Sequence, residues 1–175
     1  IEDKIFPKEN SLLKDGKSDL LSEKEFVAKI LAAKESKVNE DFMIIARIEA
    51  LISGSGMSDA LQRASAYENA GADAIVIHSK QKLPNEIFEF TDNWKGNVPI
   101  IAIPTTYNTV KISDLISHKI KMVIYANQTL RASHASMLKL LKEMYQVERI
   151  SDVKQEMSDM EVIFQLQKMY EHKTR

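Results

Sequence analysis

The chain contains no cysteine, which excludes disulfide bonds, thiolate metal sites and a cysteine nucleophile. It also lacks long hydrophobic runs: the longest are four or five residues, whereas a bilayer-spanning helix needs roughly 20. An excess of charge of one sign is missing as well, since 24 basic and 25 acidic residues give a net charge of -1 without any like-charged block. We therefore expect neither a nucleic-acid nor a membrane partner.

The composition is that of an ordinary globular protein. The 175 residues (19.9 kDa) are 44% hydrophobic and 28% charged, and we expect residues 1–175 to form a single domain. The chain starts at Ile1 without a methionine or a signal-peptide pattern, so we expect it to come from the interior of a longer protein.

Short runs rich in isoleucine and valine recur along the chain and predict strands. They show no polar alternation, which is typical of strands buried on both faces of a parallel sheet. The predicted strands are Phe42–Ala46, Ala74–Ile77, Val98–Ile103 and Met122–Tyr125.

Helical patterns lie between these runs. Capping boxes predict helix starts at Ser22 and Ser158, Ser58 is a candidate cap for another helix, and Gly71 is a candidate helix stop. The predicted helices cover residues 22–35, 58–70, 85–94, 112–118, 131–145 and 158–171. This alternation predicts an α/β fold and leaves open a doubly wound sheet or a (β/α)₈ barrel. A barrel usually needs about 250 residues, so that alternative requires a missing N-terminal part.

Polar residues follow the predicted strands, at the edge where α/β enzymes place their sites. Arg47 and Glu49 follow the first run, and His78 follows the second. Ser79, Thr105, Thr106 and Asn127 also follow strands, as do Glu2 and Asp3 if an earlier strand ends at Ile1. Arginine and histidine can bind carboxylate or phosphoryl oxygens, and a carboxylate can hold Mg²⁺ directly or through water. The pattern therefore predicts a site for a small anion with a hard cation.

Each of these signals also has a structural interpretation. Arg47 and Glu49 lie two residues apart and are also compatible with a structural ion pair, and His78 with a buried core histidine. The segment Gly54-Ser55-Gly56 is compatible with a phosphate-binding loop, but it matches no P-loop or dinucleotide pattern and is better interpreted as a turn.

The segment from Lys4 to about residue 17 is long for a connection between a strand and a helix. It carries lysine, asparagine and serine just beyond the predicted site. Connections of this length in α/β enzymes are often lids, and a plain surface loop is the alternative.

Several separated motifs, in this order, resemble the phosphoenolpyruvate phosphomutase family. They are Glu2-Asp3-Lys4, Phe6-Pro7-Lys8-Glu9-Asn10-Ser11-Leu12, Ala46-Arg47-Ile48-Glu49-Ala50, Gly71-Ala72-Asp73-Ala74, Ile77-His78-Ser79-Lys80, Pro104-Thr105 and Ala126-Asn127 with Leu130-Arg131-Ala132. The resemblance covers nearly the whole chain. It implies the (β/α)₈ barrel of the isocitrate lyase superfamily, of which this chain would hold the part from the end of the fourth strand onward. The first three strands, with their Mg²⁺-binding aspartates, would precede it.

The resemblance also implies roles for individual residues and an assembly. Glu2 corresponds to an acid that reaches Mg²⁺ through water, and Arg47 and His78 to ligands of the phosphoryl oxygens. Asn10 is a catalytic residue of the gating loop (residues 4–17), which also carries Lys8, Ser11 and Leu12. The implied protein is a cytoplasmic homotetramer whose C-terminal helices are exchanged between neighbours.

The implied reaction is the interconversion of phosphoenolpyruvate and phosphonopyruvate, which forms the carbon–phosphorus bond of phosphonates. Three alternatives stay open: phosphonopyruvate hydrolysis, carbon–carbon lysis, and a non-catalytic anion-binding paralogue. Lyases of the superfamily typically carry a cysteine in the gating loop, and this chain has none. Similar hydrolases tend to have threonine where this chain has Asn10. The rearrangement is therefore the favoured reaction.

Overall fold

A computed structural model describes residues 1–13 and 19–170 of the chain. The chain forms two compact units, Ile1–Ala126 and Asn127–Arg175. The part of the predicted gating loop from residue 14 to residue 17 lies outside the described residues. The assignment of residues 1–175 to one domain stays a prediction.

The first unit is built on a four-stranded parallel sheet with strand order β1-β2-β3-β4. The strands are β1 (Ile45–Ile48), β2 (Ala74–Ile77), β3 (Ile100–Ala102) and β4 (Ile120–Val123). The helices of this unit are α1 (Glu23–Ser36), α2 (Ala50–Ser53), α3 (Gly56–Asn69), α4 (Asn85–Asn93) and α5 (Ile112–Ser117). The predicted α/β alternation is confirmed. Strand order follows chain order without a reversal, as in a barrel, whereas a doubly wound sheet reverses at a switch point.

Burial explains why these short apolar runs become strands. Every residue of β2 and β3 is buried, as the absence of polar alternation predicts, whereas β1 and β4 each present some residues that are only partly buried or exposed. Helices α1 and α3 cover the sheet with Phe26 and Tyr67, whose ring centroids lie 4.6 Å apart.

Two predicted helix boundaries of this unit are confirmed. The Ser22 hydroxyl accepts a hydrogen bond from the Glu25 backbone N–H while the Glu25 carboxylate accepts one from the Ser22 N–H, which forms the capping box. Gly71 follows α3 with φ at +94°, a conformation that disfavours side chains. The turn interpretation of residues 54–56 also holds, because Gly54 and Gly56 both have positive φ.

Other boundaries differ from the prediction. The first strand runs from Ile45 to Ile48, so Phe42 and Met43 precede it and are exposed, and Arg47 lies inside the strand. The fourth strand begins at Ile120 and stops at Val123. Pairing with the neighbouring strand sets these limits, and an apolar run alone does not mark where pairing starts.

Two predicted caps do not form. Helix α3 begins at Gly56, before Ser58, and the preceding Ser55 makes no capping hydrogen bond. In the second unit, helix α6 (Gln128–Met144) starts before the predicted Arg131, and α7 (Met160–Leu166) is shorter than predicted. The Ser158 box is absent because Asp159 is the residue that precedes α7, which makes Glu161 the second residue of the helix, and its carboxylate accepts hydrogen bonds from Gln165 and Tyr170.

The helices of the second unit expose much of their apolar surface. Neither α6 nor α7 contains a buried residue, and the exposed side chains include Leu141, Met160 and Leu166. Within residues 1–13 and 19–170, no helix is both long enough and apolar enough to cross a bilayer.

Candidate active site

The first residues of the chain lie beside β1 and bring three chain segments to one edge of the sheet. Glu2 forms a parallel bridge with Arg47, and the Arg47 N–H donates to the carbonyl of Ile1 (2.7 Å). The pairing of Ile48 with Ile77 places Glu49 and His78 next to each other just beyond β1 and β2. The predicted convergence of Glu2, Arg47 and His78 at one edge is therefore present.

The predicted gating loop begins at this edge, where its first residues pair with residues that follow the loop. Lys4 and Leu20 form an antiparallel bridge, and the Ile5 N–H donates to the Asp19 carbonyl (2.9 Å). This pairing holds the start of the loop against the strand ends, and it buries both Lys4 and Ser11.

The carboxylate of Glu49 is the centre of the site. Its Oε1 accepts a hydrogen bond from Arg47 Nε (2.7 Å) and lies 2.8 Å from His78 Nδ1. Arg47 Nη2 lies 2.9 Å from the same His78 nitrogen. One carboxylate oxygen thus holds together the two residues that we expected to bind an anion, and the predicted Arg47–Glu49 ion pair is part of that arrangement.

The other oxygen of Glu49 faces the gating loop. Oε2 accepts a hydrogen bond from the Ser11 hydroxyl (2.6 Å) and lies 3.3 Å from the ammonium of Lys4. The Lys4 ammonium also donates to Ser11 Oγ (2.6 Å) and to the Glu9 carbonyl (2.9 Å). These contacts connect three loop residues to Glu49, whose side chain is completely buried.

The surroundings keep Glu49 ionised. Burial alone raises the pKa of this carboxyl, but hydrogen bonds from His78 and Ser11 and the charges of His78 and Arg47 outweigh burial and lower the pKa to about 2. An ionised carboxylate only accepts hydrogen bonds, so the short contact with His78 requires a proton on Nδ1, and Arg47 Nη2 then approaches that nitrogen without a hydrogen bond. The Nε2 atom of His78 is the ring nitrogen left for a ligand, and it donates to an anionic oxygen when it also carries a proton.

A second buried cluster, formed by Asp3, Tyr67 and Arg63, supports the site through the backbone of Glu49. Asp3 is fully buried, and its Oδ1 accepts a hydrogen bond from the Glu49 N–H (3.0 Å). Its Oδ2 accepts one from the Tyr67 hydroxyl (2.9 Å), and Arg63 lies 3.4 Å away. Burial raises the pKa of Asp3 and of Tyr67 above their ordinary values. This cluster fixes the backbone at Glu49 to α3.

Glu2 and Lys8 lie at the more open side of the site. The Glu2 carboxylate is 3.5 Å from the Lys4 ammonium and 3.8 Å from that of Lys8, which also donates to the Glu2 carbonyl (2.9 Å). The site has one more positive than negative charge, because it contains three basic residues (Lys4, Lys8 and Arg47) and two acidic ones (Glu2 and Glu49). It is therefore suited to an anion. Arg47 is 28% exposed, which leaves its guanidinium accessible to such a ligand.

The other two predicted loop residues are exposed. The side-chain carbonyl of Asn10 accepts a hydrogen bond from the Leu12 N–H (2.9 Å), which shapes the loop and leaves the amide nitrogen as a potential donor. Leu12 is exposed. Among the described residues, no hydrogen bond joins either side chain to the Glu49 cluster.

Two of the other residues predicted after strands have separate contacts. Thr106 donates from its hydroxyl to the Ser79 carbonyl (3.1 Å), and Asn127 precedes α6 in the second unit. The sequence does not single out Lys4 as a site residue, and it places Glu49 at the predicted edge, with a structural ion pair to Arg47 as the alternative. A lysine directly after two acidic residues at a predicted strand end is the only sequence signal for the first.

The site offers a metal ion one accessible carboxylate, that of Glu2, since the carboxylates of Asp3 and Glu49 are buried. Among residues 1–13 and 19–170, no three histidine, aspartate or glutamate side chains gather as a metal site. The Glu2 carboxylate is partly exposed and retains acceptor capacity beside Lys4 and Lys8. It therefore fits a hard cation that is held mainly by other oxygen ligands.

The chain is similar to several known proteins. The sequence model of phosphoenolpyruvate phosphomutase matches residues 1–145. The chain is 45% identical over 167 residues to a phosphoenolpyruvate phosphomutase of Tetrahymena pyriformis, covering 95% of this chain and 56% of that protein. It is 47% identical over 134 residues to a phosphonopyruvate hydrolase of Variovorax sp., covering 76% of this chain and 46% of that protein.

Solved structures show the same fold. A phosphoenolpyruvate phosphomutase from Streptomyces platensis subsp. rosaceus superposes with a TM-score of 0.91 at 40% identity, covering 98% of this chain and 59% of that one. A phosphonopyruvate hydrolase in complex with oxalate and Mg²⁺ superposes with a TM-score of 0.86 at 37% identity, covering 98% and 58%.

These matches confirm the predicted fold class. The neighbours are (β/α)₈ barrels, and one of them, a 2,3-dimethylmalate lyase, is described as a member of the phosphoenolpyruvate mutase/isocitrate lyase superfamily. The chain spans 46–59% of the length of the four relatives named above. Residues 1–145 fit the family model, and the chain is 45% identical over 167 residues to a named member. The chain belongs to the phosphoenolpyruvate phosphomutase family.

Proposed function

We propose that the protein carrying this chain is an isomerase that interconverts phosphoenolpyruvate and phosphonopyruvate. The observation that carries the proposal is the pair formed by Arg47 and His78, held by one oxygen of Glu49 beside the gating loop. This arrangement offers a guanidinium and an imidazole to the oxygens of a phosphoryl group.

The reaction needs charge stabilisation and exclusion of water more than a strong nucleophile. The carbon–phosphorus bond of phosphonopyruvate breaks, and the phosphoryl group forms a bond with the oxygen of the resulting enolate. The two compounds are isomers, so neither water nor a redox partner is consumed. A loose phosphoryl transfer develops charge on the phosphoryl oxygens, and Arg47 and His78 are the groups placed to bind them. The gating loop, with Lys8, Asn10, Ser11 and Leu12, would exclude water.

We propose Mg²⁺ as the cofactor, with Glu2 contributing through water. The partly exposed Glu2 carboxylate supports this role, and a solved phosphonopyruvate hydrolase is described with Mg²⁺. Mg²⁺ would neutralise the negative charge of the substrate. Within this chain, Glu2 would help to orient the cation, and its neighbour Lys8 would face the same anionic substrate.

Hydrolysis of phosphonopyruvate is the second candidate, and the 47% identity to a hydrolase favours it. The two reactions differ in whether water intercepts the phosphoryl group. Asn10 supports rearrangement because its amide nitrogen can hold the phosphoryl group near the enolate, whereas a smaller hydroxyl would leave room for water. Carbon–carbon lysis is less well supported because the chain contains no cysteine to act as the proton carrier.

Phosphorus NMR of the full-length protein with phosphonopyruvate and Mg²⁺ tests the proposal. We expect conversion mainly to phosphoenolpyruvate. Accumulation of inorganic phosphate with pyruvate would make the protein a hydrolase, and no turnover would support the non-catalytic alternative.

A substitution in the gating loop sharpens this test. We expect Asn10→Thr to raise the share of substrate released as phosphate and to lower the rate of rearrangement. Asn39→Thr is the matched control, because Asn39 accepts a backbone hydrogen bond from the residue two positions ahead, as Asn10 does, but lies in the turn before β1. An unchanged product ratio in the Asn10 variant would remove the argument for rearrangement.

We also propose that the protein is a cytoplasmic homotetramer that takes part in phosphonate biosynthesis. The exposed apolar residues of α6 and α7 support an interface between copies of the chain. Sedimentation of the full-length protein tests this: we expect a tetramer, and Leu166→Glu should dissociate it. Val38→Glu, at an exposed apolar residue of the first unit, is the control. A monomeric wild type would contradict the proposal.

A further inference from the structure

Glu49 joins two parts of the site that a catalytic cycle must bring together. Its Oε1 contacts Arg47 and His78, whereas its Oε2 contacts Ser11 and Lys4 of the gating loop. We propose that Glu49 is a positioning residue that couples the seating of the loop to the orientation of the anion-binding pair. The inference rests on the proposed function only for its kinetic consequence.

The geometry on the Oε1 side fixes two side chains at once. Arg47 can rotate about several bonds, and the hydrogen bond from its Nε to Glu49 (2.7 Å) restricts that freedom while its Nη2 extends toward His78 (2.9 Å). Either nitrogen of the His78 ring can carry hydrogen, and the ionised Glu49 requires hydrogen on Nδ1. Removal of the carboxylate charge would therefore free the Arg47 guanidinium to rotate and would remove the preference for hydrogen on Nδ1 of His78.

The geometry on the Oε2 side fixes the loop. The Ser11 hydroxyl donates to Glu49 and accepts from Lys4, each at 2.6 Å, and the Lys4 ammonium also holds the Glu9 carbonyl. Lys4 is 1% exposed, so its charge needs the nearby carboxylates of Glu2 and Glu49. Glu9, Ser11 and Lys4 would all lose part of their attachment if Glu49 became neutral.

Arg47 Nη2 also donates directly to Ser11 Oγ (3.3 Å), and the carboxylate of Glu49, with shorter contacts on both sides, makes the two arrangements depend on each other. When the loop is seated, Ser11 and Lys4 satisfy Oε2 and hold the carboxylate plane in the orientation that aligns Oε1 with Arg47 and His78. When the loop leaves, Oε2 loses both partners and the carboxylate can rotate. Coupling of this kind predicts that substitutions on the two sides are not additive.

Kinetics of the full-length protein give the first test. We expect Glu49→Gln to lower kcat/KM for phosphonopyruvate about 100-fold and Ser11→Ala about 10-fold, by analogy with misplacement of reacting groups. The double variant should be no slower than Glu49→Gln alone. A decrease near 1000-fold, the product of the two, would mean independent roles and overturn the coupling.

Two further measurements do not depend on turnover, so they stand even if the proposed reaction is wrong. Nitrogen-15 NMR should show hydrogen on Nδ1 of His78 in the wild type, a smaller share of that form in Ser11→Ala, and the smallest share in Glu49→Gln. His78→Asn assigns the signal. Hydrogen exchange in the peptide 4–13 should accelerate at least about tenfold in both single variants, because each breaks the attachment of the loop.

Glu68→Gln is the matched control. The Glu68 carboxylate also accepts two hydrogen bonds, from the backbone N–H groups of Asn97 and Val98, but it lies at the opposite edge of the sheet, before β3. The Glu68→Gln substitution should leave the His78 tautomer and the hydrogen exchange of peptide 4–13 unchanged. Wild-type tautomer and loop protection in Glu49→Gln would overturn the proposal. If that variant does not fold, wild-type loop protection in Ser11→Ala would overturn it.

Discussion

The buried carboxyl of Glu49 makes the free energy of unfolding depend on pH. We expect the substitution Glu49→Gln to remove this part of the pH dependence. In the folded protein its pKa is about 2, against an ordinary value of 4.5, because contacts with His78, Ser11 and Arg47 outweigh the effect of burial. A lowered pKa stabilises the folded state above the ordinary pKa. That stabilisation is lost as the pH falls from about 5 toward 2.

The size of the effect follows from the shift. A difference of about 2.5 pKa units corresponds to about 3 kcal/mol of folding free energy at neutral pH. Linkage leaves roughly 1 kcal/mol of this at pH 3, so roughly 2 kcal/mol disappears between pH 7 and pH 3. Glutamine does not titrate and cannot contribute this pH dependence.

Urea unfolding of the wild type and of Glu49→Gln at pH 7, 4 and 3 measures the effect. The other carboxyl groups are common to both proteins, so their titration largely cancels in the difference between the two free energies of unfolding. We expect this difference to shrink by about 2 kcal/mol between pH 7 and pH 3. A difference that does not change with pH would show that Glu49 titrates normally in the folded protein. The ionised carboxylate could then not be the organiser of the site.

Three other outcomes are expected for the full-length protein. Arg47→Ala should lower kcat/KM by at least about 100-fold without unfolding the protein. Arg149→Ala, at an exposed position, is the control and should change neither kcat/KM nor folding. Near-normal activity of Arg47→Ala would make Arg47 structural. Tyr67→Phe should cost about 1–3 kcal/mol in urea unfolding, since Asp3 loses a buried hydrogen bond, and Tyr145→Phe, at an exposed residue, is the control. Chelation should abolish activity and Mg²⁺ should restore it; full activity without metal would contradict the role of Glu2.

The meeting of Arg47 and His78 was predictable from the sequence for a physical reason. Both follow or end apolar runs that form neighbouring parallel strands, and parallel strands share the edge at which they end. A shift of two or three residues in the bounds of β1 did not disturb this, because Arg47 lies within two residues of the strand end in either case and its Nε donates to Glu49 just beyond the strand (2.7 Å).

The role of Lys4 was not predictable in the same way. Lysine is rarely buried, and no periodic pattern distinguishes a buried lysine from an exposed one. Its burial results from the bridge between Lys4 and Leu20, which depends on where a long loop returns to its starting point. Contacts of this kind join residues whose order in the chain carries no regular spacing, so they become visible only in the folded structure.

The position of Glu49 between cations explains how a site for an anion can exist before the anion arrives. Lys4 and Arg47 lie within hydrogen-bond or ion-pair distance of the same carboxylate, and without it their charges would repel each other in a poorly solvated pocket. Glu49 removes most of that repulsion, yet Lys8 and the exposed part of Arg47 keep a positive potential on the open side. Glu49 therefore allows Lys4 and Arg47 to be preorganised for a phosphoryl group. In the sequence, a glutamate two residues after an arginine suggests only an ion pair.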